Sequence, residues 1–200
     1  MSSLSQKRII LGITGGIAAY KSAEITRRLQ DEGAEVRVVM SESAQEFIRP
    51  LTLQALSGNP VHTDLLDPEA EAAMGHIELA RWADIVLIAP ATANFVATLN
   101  QGSANDLMSS ICLATTAPVM IAPAMNQAMW SNSASQQNIE SLKQREVIIL
   151  ESDNGIQACG DVGPGRLPQP ETIIQQVASV FKTGEMTGKK VIITAGPTRE

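Results

Sequence analysis

The stretch GITGGIAAYKS, residues 12–22, decides the fold because it joins a predicted strand to a predicted helix. Residues 8–14 form a short apolar run that ends at a glycine pair, which is typical of a strand buried on both faces. Apolar residues at helical spacing then continue to Gly33, and glycine commonly follows the last turn of a helix. Residues 36–40 are a second predicted strand, so this part of the chain predicts one complete βαβ unit.

The alternation of strands and helices continues along the chain. Further strands are predicted at residues 84–90, 118–122 and 147–150, and further helices at 43–48, 51–56, 93–100, 106–114, 133–145 and 171–181. This order predicts a doubly wound α/β fold, with a mostly parallel Rossmann-like or flavodoxin-like sheet and helices on both faces. Ligands of such folds bind beyond the carboxyl ends of the strands, so the turns that follow the strands are the candidate site.

Composition restricts the classes of function. The chain has 200 residues, 44% of them hydrophobic and 18% charged, which fits one packed domain. A formal net charge of -6 without a basic cluster argues against nucleic-acid binding, and no segment approaches the roughly 20 apolar residues of a membrane span. Cys112 and Cys159 form neither a disulfide framework nor a zinc-ligand spacing. We therefore expect a soluble cytoplasmic protein without a metal site, a nucleic-acid partner or a membrane partner.

The first turn partly matches the phosphate loop G-x-x-x-x-G-K-[ST]. Gly15, Lys21 and Ser22 fit that pattern, but Tyr20 occupies the position of its second glycine, and G-x-G-x-x-G is absent as well. We therefore expect neither NAD nor a nucleoside triphosphate in this domain. Backbone N–H groups near Gly15 and Gly16 would still stabilise an anion. For a lone glycine pair, a tight turn that binds nothing is the more frequent alternative.

Three further strand ends carry small or hydrogen-bonding residues rather than charged ones. Ser41 and Ser43 follow the second strand, where capping of the next helix is the common role of a serine. The sequences PATANF, residues 90–95, and PAMNQAMW, residues 123–130, follow the next two strands. Together these strand ends predict a site for a planar mononucleotide with one phosphate, such as FMN.

Few side chains in the sequence are candidates for reaction chemistry. His62 precedes a polar stretch and is predicted on the surface, and a lone histidine such as His76 is more often structural than catalytic. Cys112 lies in an apolar helix and is predicted in the core. Cys159 lies in a glycine-rich segment, residues 155–166, which predicts a loop without packing of its own. Such a loop can act as a lid, or it is a surface loop that happens to carry a thiol.

Together these stretches resemble the flavin-dependent cysteine decarboxylases, and closely the phosphopantothenoylcysteine decarboxylases of coenzyme A biosynthesis. The resemblance spans about residues 7–181. It rests on five motifs in order, which are GITGGIAAYK at 12–21, GHIEL at 75–79, PATAN at 90–94, PAMNQAMW at 123–130 and ACGD at 158–161. Five ordered motifs make a chance match implausible.

The resemblance implies an FMN site at the strand ends. The residues that it assigns to the cofactor are Gly15, Gly16, Ser41, Ser43, Thr92, Ala93, Asn94 and Phe95, with Ala124 near the flavin ring. The family often has serine where this chain has Gly16 and threonine where it has Phe95. Those two contacts would therefore depend on backbone groups.

The resemblance also implies a carboxy-lyase reaction and its residues. It assigns His76 as catalytic base, Asn126 as the amide that binds the carboxylate, and Cys159 as proton donor on a mobile clamp. Further substrate contacts are implied for Met129, Ala158, Gly160, Asp161 and Arg81, where Arg81 would meet the substrate phosphate or another subunit. The implied reaction converts 4′-phosphopantothenoyl-L-cysteine into 4′-phosphopantetheine and CO₂. It proceeds through a thioaldehyde and an enethiolate, which reduced flavin then reduces.

The resemblance extends to assembly and domain organisation. Family members form trimers with sites between subunits, so Met125, Met129 and Trp130 would face a neighbour, or they pack in the core. We expect a decarboxylase domain at residues 1–182, a linker at 183–188, and at 189–200 the truncated start of a ligase domain that uses CTP, Mg²⁺ and cysteine. Alternatively, the last segment adds an edge strand to the sheet. We expect no ligase activity from the chain as given.

Two rival functions remain open from the sequence. A flavin prenyltransferase would bind FMN in the same fold but would have no use for Cys159 on a clamp. A flavin-binding regulatory subunit would keep the pocket without catalysis, and the joint presence of His76, Asn126 and Cys159 argues against it.

Overall fold

A computed structural model describes residues 4–65 and 75–182 of the chain. The strands are β1 Arg8–Ile13, β2 Glu35–Met40, β3 Val61–His62, β4 Ile85–Ala91, β5 Val119–Pro123, β6 Ile148–Ile149, β7 Asp153–Ile156 and β8 Val162–Arg166. The α-helices are α1 Ser22–Asp31, α2 Pro50–Ser57, α3 His76–Trp82, α4 Ala93–Gln101, α5 Leu107–Ala114, α6 Gln127–Ser131, α7 Ser133–Gln144 and α8 Pro170–Val180. Two 3-10 helices, Ile17–Lys21 and Glu42–Glu46, follow β1 and β2.

The central sheet has six strands among the described residues, in the order β3-β2-β1-β4-β5-β6. All its neighbouring pairs are parallel. This order is that of a doubly wound Rossmann-type sheet, and the prediction of the fold class is confirmed. The chain leaves the sheet in opposite directions after β1 and β4, so a crevice forms beyond their carboxyl ends.

Two apolar layers cover the two faces of the sheet. Side chains alternate along each strand, so Ile9 and Leu11 of β1 point into one layer and Ile10 points into the other. Helices α1, α2 and α8 cover the first layer, and α3, α4, α5 and α7 cover the second. Every residue of β4 is buried, which explains why its sequence is a continuous apolar run.

The structure corrects the surface position predicted for His62. This residue lies in the edge strand β3, pairs with Val39 of β2, and is 6% exposed. The sequence pattern could not reveal β3, because two residues are too few for an alternation of apolar and polar side chains to show.

The structure also corrects the prediction that the glycine-rich segment has no packing of its own. β7 and β8 form an antiparallel hairpin around Cys159, and β8 packs on the short helix α6. A Cβ atom at Gly163 would lie 2.8 Å from Cβ of Gln127, so glycine at this position permits the close contact. The glycines that suggested a free loop instead allow the hairpin to approach the sheet end.

The linker at 183–188 and the segment at 189–200 lie outside the described residues. Within the described ranges, no helix combines the length and the apolar character needed to cross a membrane.

Candidate functional site

A cavity of about 760 Å³ lies beyond the carboxyl ends of β1, β4 and β5, and the β7–β8 hairpin forms one of its walls. The predicted site residues that line it are Gly15, Gly16, Ser43, Thr92, Ala93, Asn94, Ala124, Asn126, Met129, Ala158 and Cys159. Four of the five motifs singled out in the sequence therefore meet at one cavity, as expected for strand ends of a doubly wound sheet.

Hydrogen bonds through Thr14 hold the turns after β1 and β4 together. Thr14 donates its backbone N–H and its Oγ1 hydroxyl to the carbonyl oxygen of Pro90, at 3.2 and 2.8 Å. Its Oγ1 also accepts the backbone N–H of Thr92 at 2.9 Å. Thr14 is 3% exposed, so these bonds are shielded from water and fix the spacing of the two turns.

Gly15 lies against the turn after β2. A Cβ atom at this position would lie 2.7 Å from the backbone carbonyl carbon of Ser43. The hydroxyls of Ser43 and Ser41 are 3.1 Å apart, and Ser41 Oγ accepts the N–H of Ala44, so Ser41 caps the following 3-10 helix. Ser43 lines the cavity, whereas Ser41 contacts Ser43 and is not part of the lining.

The two glycines of the first turn should therefore respond differently to alanine. We expect Gly15→Ala to lower the free energy of unfolding of the apoprotein by about 1–3 kcal/mol, because backbone must move to admit the methyl group. Gly16→Ala is the matched control. Its Cβ would meet Thr92 Cγ2 at an ordinary 3.7 Å, so its unfolding free energy should stay close to that of the wild type. Equal effects in urea unfolding would contradict the assigned crowding at Gly15.

Asn126, Cys159 and Asp161 form a polar cluster where the hairpin meets the end of β5. Asn126 Nδ2 donates to Asp161 Oδ2 at 3.0 Å and contacts Cys159 Sγ at 3.3 Å. The thiol of Cys159 donates to Asp161 Oδ2 at 3.5 Å. Asn126 Oδ1 accepts the N–H of Ala128, which fixes the orientation of the amide. Asn126 and Cys159 line the cavity and present an amide donor and a thiol donor side by side, whereas Asp161, which accepts from both, lies outside the cavity lining.

Gln157 fastens the hairpin to the turn that carries Asn126. Its Oε1 accepts the N–H of Gln127 at 2.9 Å, and its Nε2 donates to the carbonyl oxygens of Met125 at 3.2 Å and Pro164 at 2.9 Å. The backbone N–H of Met125 also donates to the carbonyl oxygen of Gly165 at 2.9 Å. The side-chain amide of Gln157 and this backbone bond thus hold Cys159 in position relative to Asn126.

Removal of this amide should loosen the hairpin locally. We expect the backbone amides of Met125 and Gln127 to exchange hydrogen about 10- to 100-fold faster in Gln157→Ala. Loss of the hydrogen bonds to Gln157 should lower the free energy of local opening by about 1–3 kcal/mol. Gln175→Ala, at an exposed position of α8, is the control and should leave both rates unchanged. Unchanged exchange at both amides in Gln157→Ala would exclude this role.

The cavity is lined by two cationic side chains that were not predicted for the site, Lys21 and Arg166. Lys21 ends the 3-10 helix after the glycine turn, and Arg166 ends β8. Both are half-buried. Burial, and then the positive charge of Arg166, lower the pKa of Lys21 below its usual value. A cluster of three or more possible metal ligands is absent from the described residues.

Several predicted residues lie outside the cavity lining of the single chain. Phe95 is 5% exposed and packs in the second apolar layer, and its N–H donates to Thr92 Oγ1. His76 begins α3 and Arg81 lies in its last turn, and among the described residues no part of α3 lines the cavity. Gly160 lies at the tip of the hairpin with a positive φ of 91°.

Of the other side chains considered from the sequence, two pack against an apolar layer and one is exposed. Cys112 packs against the second apolar layer, where burial raises the pKa of its thiol to about 12. Trp130 packs against the same layer, whereas Met129 is 50% exposed at the cavity. Core packing, the alternative to a contact with a neighbouring subunit, is therefore observed for Trp130 and not for Met129.

No sequence pattern as specific as the five motifs identified the remaining site residues, which are Gln157, Lys21 and Arg166. Lys21 matches part of a phosphate loop, but Tyr20 departs from that pattern. The hint for the other two residues is their spacing around Cys159 in a segment whose glycines suggested a loop. Interpreted as a hairpin, that segment places Gln157 at the turn end of β7 and Arg166 at the open end of β8, opposite Asp153.

Comparisons with known proteins agree with this geometry. The profile of a family described as Flavoprotein matches residues 1–182. The coenzyme A biosynthesis bifunctional protein CoaBC of Vibrio cholerae serotype O1 is 56% identical over 200 residues, which are 100% of this chain and 50% of that protein. The chain thus spans about half the length of the curated relatives it matches.

Solved structures show the same fold with related chemistry. A cysteine-to-serine mutant of PPC decarboxylase, complexed with pantothenoylaminoethenethiol, has a TM-score of 0.78 at 30% identity and covers 89% of this chain and 100% of that one. The FMN-dependent cysteine decarboxylase SpaF has a TM-score of 0.76 at 32% identity, covering 88% of this chain and 97% of that one.

Proposed function

The chain belongs to the Flavoprotein family, and from this we propose that it catalyses the FMN-dependent decarboxylation of 4′-phosphopantothenoyl-L-cysteine to 4′-phosphopantetheine and CO₂ in coenzyme A biosynthesis. The observation that carries the proposal is the cluster of Asn126, Cys159 and Asp161 at the rim of a cavity built from strand ends. An amide and a thiol donor at that place suit a substrate that carries a carboxylate and needs a proton.

The cavity fits FMN in its chemistry. On the β1, β2 and β4 side it offers the backbone of Gly15 and Gly16 with the polar side chains of Ser43, Thr92 and Asn94, all of them neutral. A Cβ at Gly15 would collide with Ser43, so glycine allows this turn to pack against the turn after β2 that carries Ser43. Ala124 adds a small apolar contact for a flavin ring, and Ser41 acts through Ser43.

A flavin is needed because direct loss of CO₂ from an N-acylcysteine would leave a carbanion without an electron sink. Bound FMN supplies the acceptance and the return of a hydride at the thiol-bearing carbon, so the overall reaction is redox-neutral. The oxidised substrate is a thioaldehyde, whose C=S group takes up the electrons released with CO₂ and becomes an enethiolate. This chain's residues then bind the carboxylate and move the protons.

Asn126 orients the departing carboxylate through hydrogen bonds of a neutral amide. A cationic partner would stabilise the ground-state carboxylate against loss of charge, whereas an amide positions it without a full ion pair. Cys159 then delivers a proton to the carbon next to the thiol-bearing carbon. Its thiol lies beside Asn126, within the same cluster, so donor and departing group meet at one carbon.

His76 acts as the base that takes the thiol proton, and we propose that it does so in the cavity of a neighbouring subunit. Within one chain, α3 does not reach the lining of the cavity in the part that the structure describes. A trimer with sites between subunits supplies the missing contact, and exposed Met129 would face the neighbour. Arg81, on the same helix as His76, would follow it into that interface.

The domain organisation belongs to the proposal as well. Residues 1–182 form the decarboxylase, 183–188 a linker, and 189–200 the start of a ligase domain. The relatives are named bifunctional and are about twice as long as this chain, which supports the assignment. In the full-length protein the second activity would join phosphopantothenate to cysteine with CTP and Mg²⁺, and this chain alone should not perform it.

One experiment separates the proposal from its two rivals. The purified protein should show the absorption bands of bound flavin and should release CO₂ from phosphopantothenoylcysteine. A flavin prenyltransferase would instead increase the mass of the flavin when a prenyl phosphate is added. A regulatory subunit would bind flavin and leave both compounds unchanged. Either of these last two results would replace the decarboxylase assignment.

A further inference from the structure

The charged side chains that line the cavity are cationic only. Among the described lining residues, Lys21 and Arg166 carry positive charge and no carboxylate is present. The chain as a whole has a formal net charge of -6, so a cavity wall without acidic residues departs from the rest of the protein. Cations without carboxylate partners favour an anionic ligand.

Neither cation is neutralised by an ion pair within the described ranges. Asp153 is the cross-strand partner of Arg166, but the two side chains form no ion pair there. Lys21 is half-buried, and its pKa is lowered first by burial and then by the positive charge of Arg166, while Asp153 acts on it in the opposite direction. A dianion between the two side chains would convert this repulsion into attraction.

Arg166 belongs to a different element from the residues expected to hold the cofactor, whereas Lys21 ends the 3-10 helix that follows the glycine turn. The cofactor side of the cavity is neutral, with Gly15, Gly16 and Ser43. Arg166, by contrast, belongs to the hairpin that carries Cys159, the group that acts on the substrate in the proposed reaction. The neighbouring Gly165 is hydrogen-bonded to Met125, so Arg166 is fixed close to the turn of Asn126.

We propose that Lys21 and Arg166 form the subsite for the phosphate monoester of the substrate. This proposal rests on the proposed function and names how its substrate is selected. The planar guanidinium of Arg166 suits two phosphate oxygens at once, and the ammonium of Lys21 adds a compact point charge. The subsite replaces Arg81 as the first candidate for this phosphate, because Lys21 and Arg166 line the cavity within one chain, whereas Arg81 would reach it only from a neighbouring subunit.

The test compares ligands with and without the phosphate on FMN-loaded protein. Calorimetry gives the affinities for 4′-phosphopantetheine and pantetheine, and kinetics give kcat/KM for phosphopantothenoylcysteine and pantothenoylcysteine. In Arg166→Gln and in Lys21→Gln, affinity and kcat/KM for the phosphorylated compounds should fall by about 10- to 100-fold, the effect of a lost hydrogen bond to a charged group. Values for the dephosphorylated compounds should stay within about threefold, since their contacts are unchanged.

Arg145→Gln is the charge-matched control, because Arg145 is exposed at the end of α7 and outside the cavity. It should preserve the preference for phosphorylated ligands. The proposal is overturned if Arg166→Gln and Lys21→Gln both keep the wild-type preference for phosphorylated ligands. It is also overturned if only Arg81→Gln loses that preference. Titration of apoprotein with FMN and riboflavin adds a third arm. One outcome would be that the variants weaken binding of FMN but not of riboflavin and still prefer the phosphorylated substrate. In that case the cations bind the cofactor phosphate and the proposal is wrong.

Failure of the proposed function would look different. A wild-type protein that releases no CO₂ from either compound would refute the decarboxylase assignment. The calorimetric arm still decides the subsite in that case, because equal affinity of the wild type for phosphopantetheine and pantetheine overturns it, whereas a phosphate preference lost in Arg166→Gln supports it.

Discussion

His76→Asn should retain FMN and lose decarboxylation by about 100- to 10,000-fold in kcat, the range attributed to a positioned general base. FMN should remain because the residues expected to hold it line the cavity and α3 does not. Flavin content by absorption and single-turnover bleaching of the flavin by substrate measure the two effects separately. Bleaching at the wild-type rate would remove His76 from the oxidation step.

The same variant tests whether the base comes from another subunit. When His76→Asn and Cys159→Ser proteins are unfolded together and refolded as a mixture, about a quarter of the sites between subunits should combine the intact His76 of one chain with the intact Cys159 of the other. Activity should then return to about that fraction of the wild-type value. If the mixture stays inactive while refolded wild type recovers, each site is built within one chain and the subunit-boundary proposal is wrong.

Cys159→Ser should release CO₂ and stop at the oxidised product. The serine hydroxyl is a weaker acid than the thiol, so protonation of the enethiolate should slow by about 100-fold or more. Liquid chromatography with mass detection should find a product that lacks CO₂ and two hydrogen atoms relative to the substrate, with flavin left reduced under anaerobic conditions.

Cys112→Ala is the control for Cys159→Ser because it removes the other cysteine of the chain, which packs in an apolar layer. It should form ordinary phosphopantetheine, with a loss of stability only. A normal yield of phosphopantetheine from Cys159→Ser would contradict the assignment of the proton donor and would leave Asp161 as the nearest alternative acid.

Much of the fold was predictable because its signals are local. The glycine turn after β1, the apolar run of β4 and the helix end at Gly33 each follow from a few neighbouring residues. The parts that were missed depend on contacts between distant segments. β3 pairs with the edge of β2, and Gln157 holds the β7–β8 hairpin against the turn after β5, so neither segment shows a periodic pattern of its own.

The candidate site divides in the same way. Strand-end residues such as Ser43, Thr92 and Asn126 were predictable, because parallel strands must end at one edge of the sheet. The positions of His76 and Arg81 relative to the cavity were not, since a helix can complete a site in another subunit without any mark in its own sequence. Arg166 was missed because its role depends on the hairpin that brings it to the wall.

The central claim is that a flavin in the strand-end cavity lets a cysteine-derived carboxylate leave in a redox-neutral reaction. The most direct measurement is anaerobic mass analysis of FMN-loaded protein with phosphopantothenoylcysteine, followed together with the flavin absorption. The predicted result is a product lighter than the substrate by one CO₂, with flavin oxidised again at the end of turnover. A substrate of unchanged mass, or loss of CO₂ that proceeds equally well in protein stripped of flavin, would contradict it.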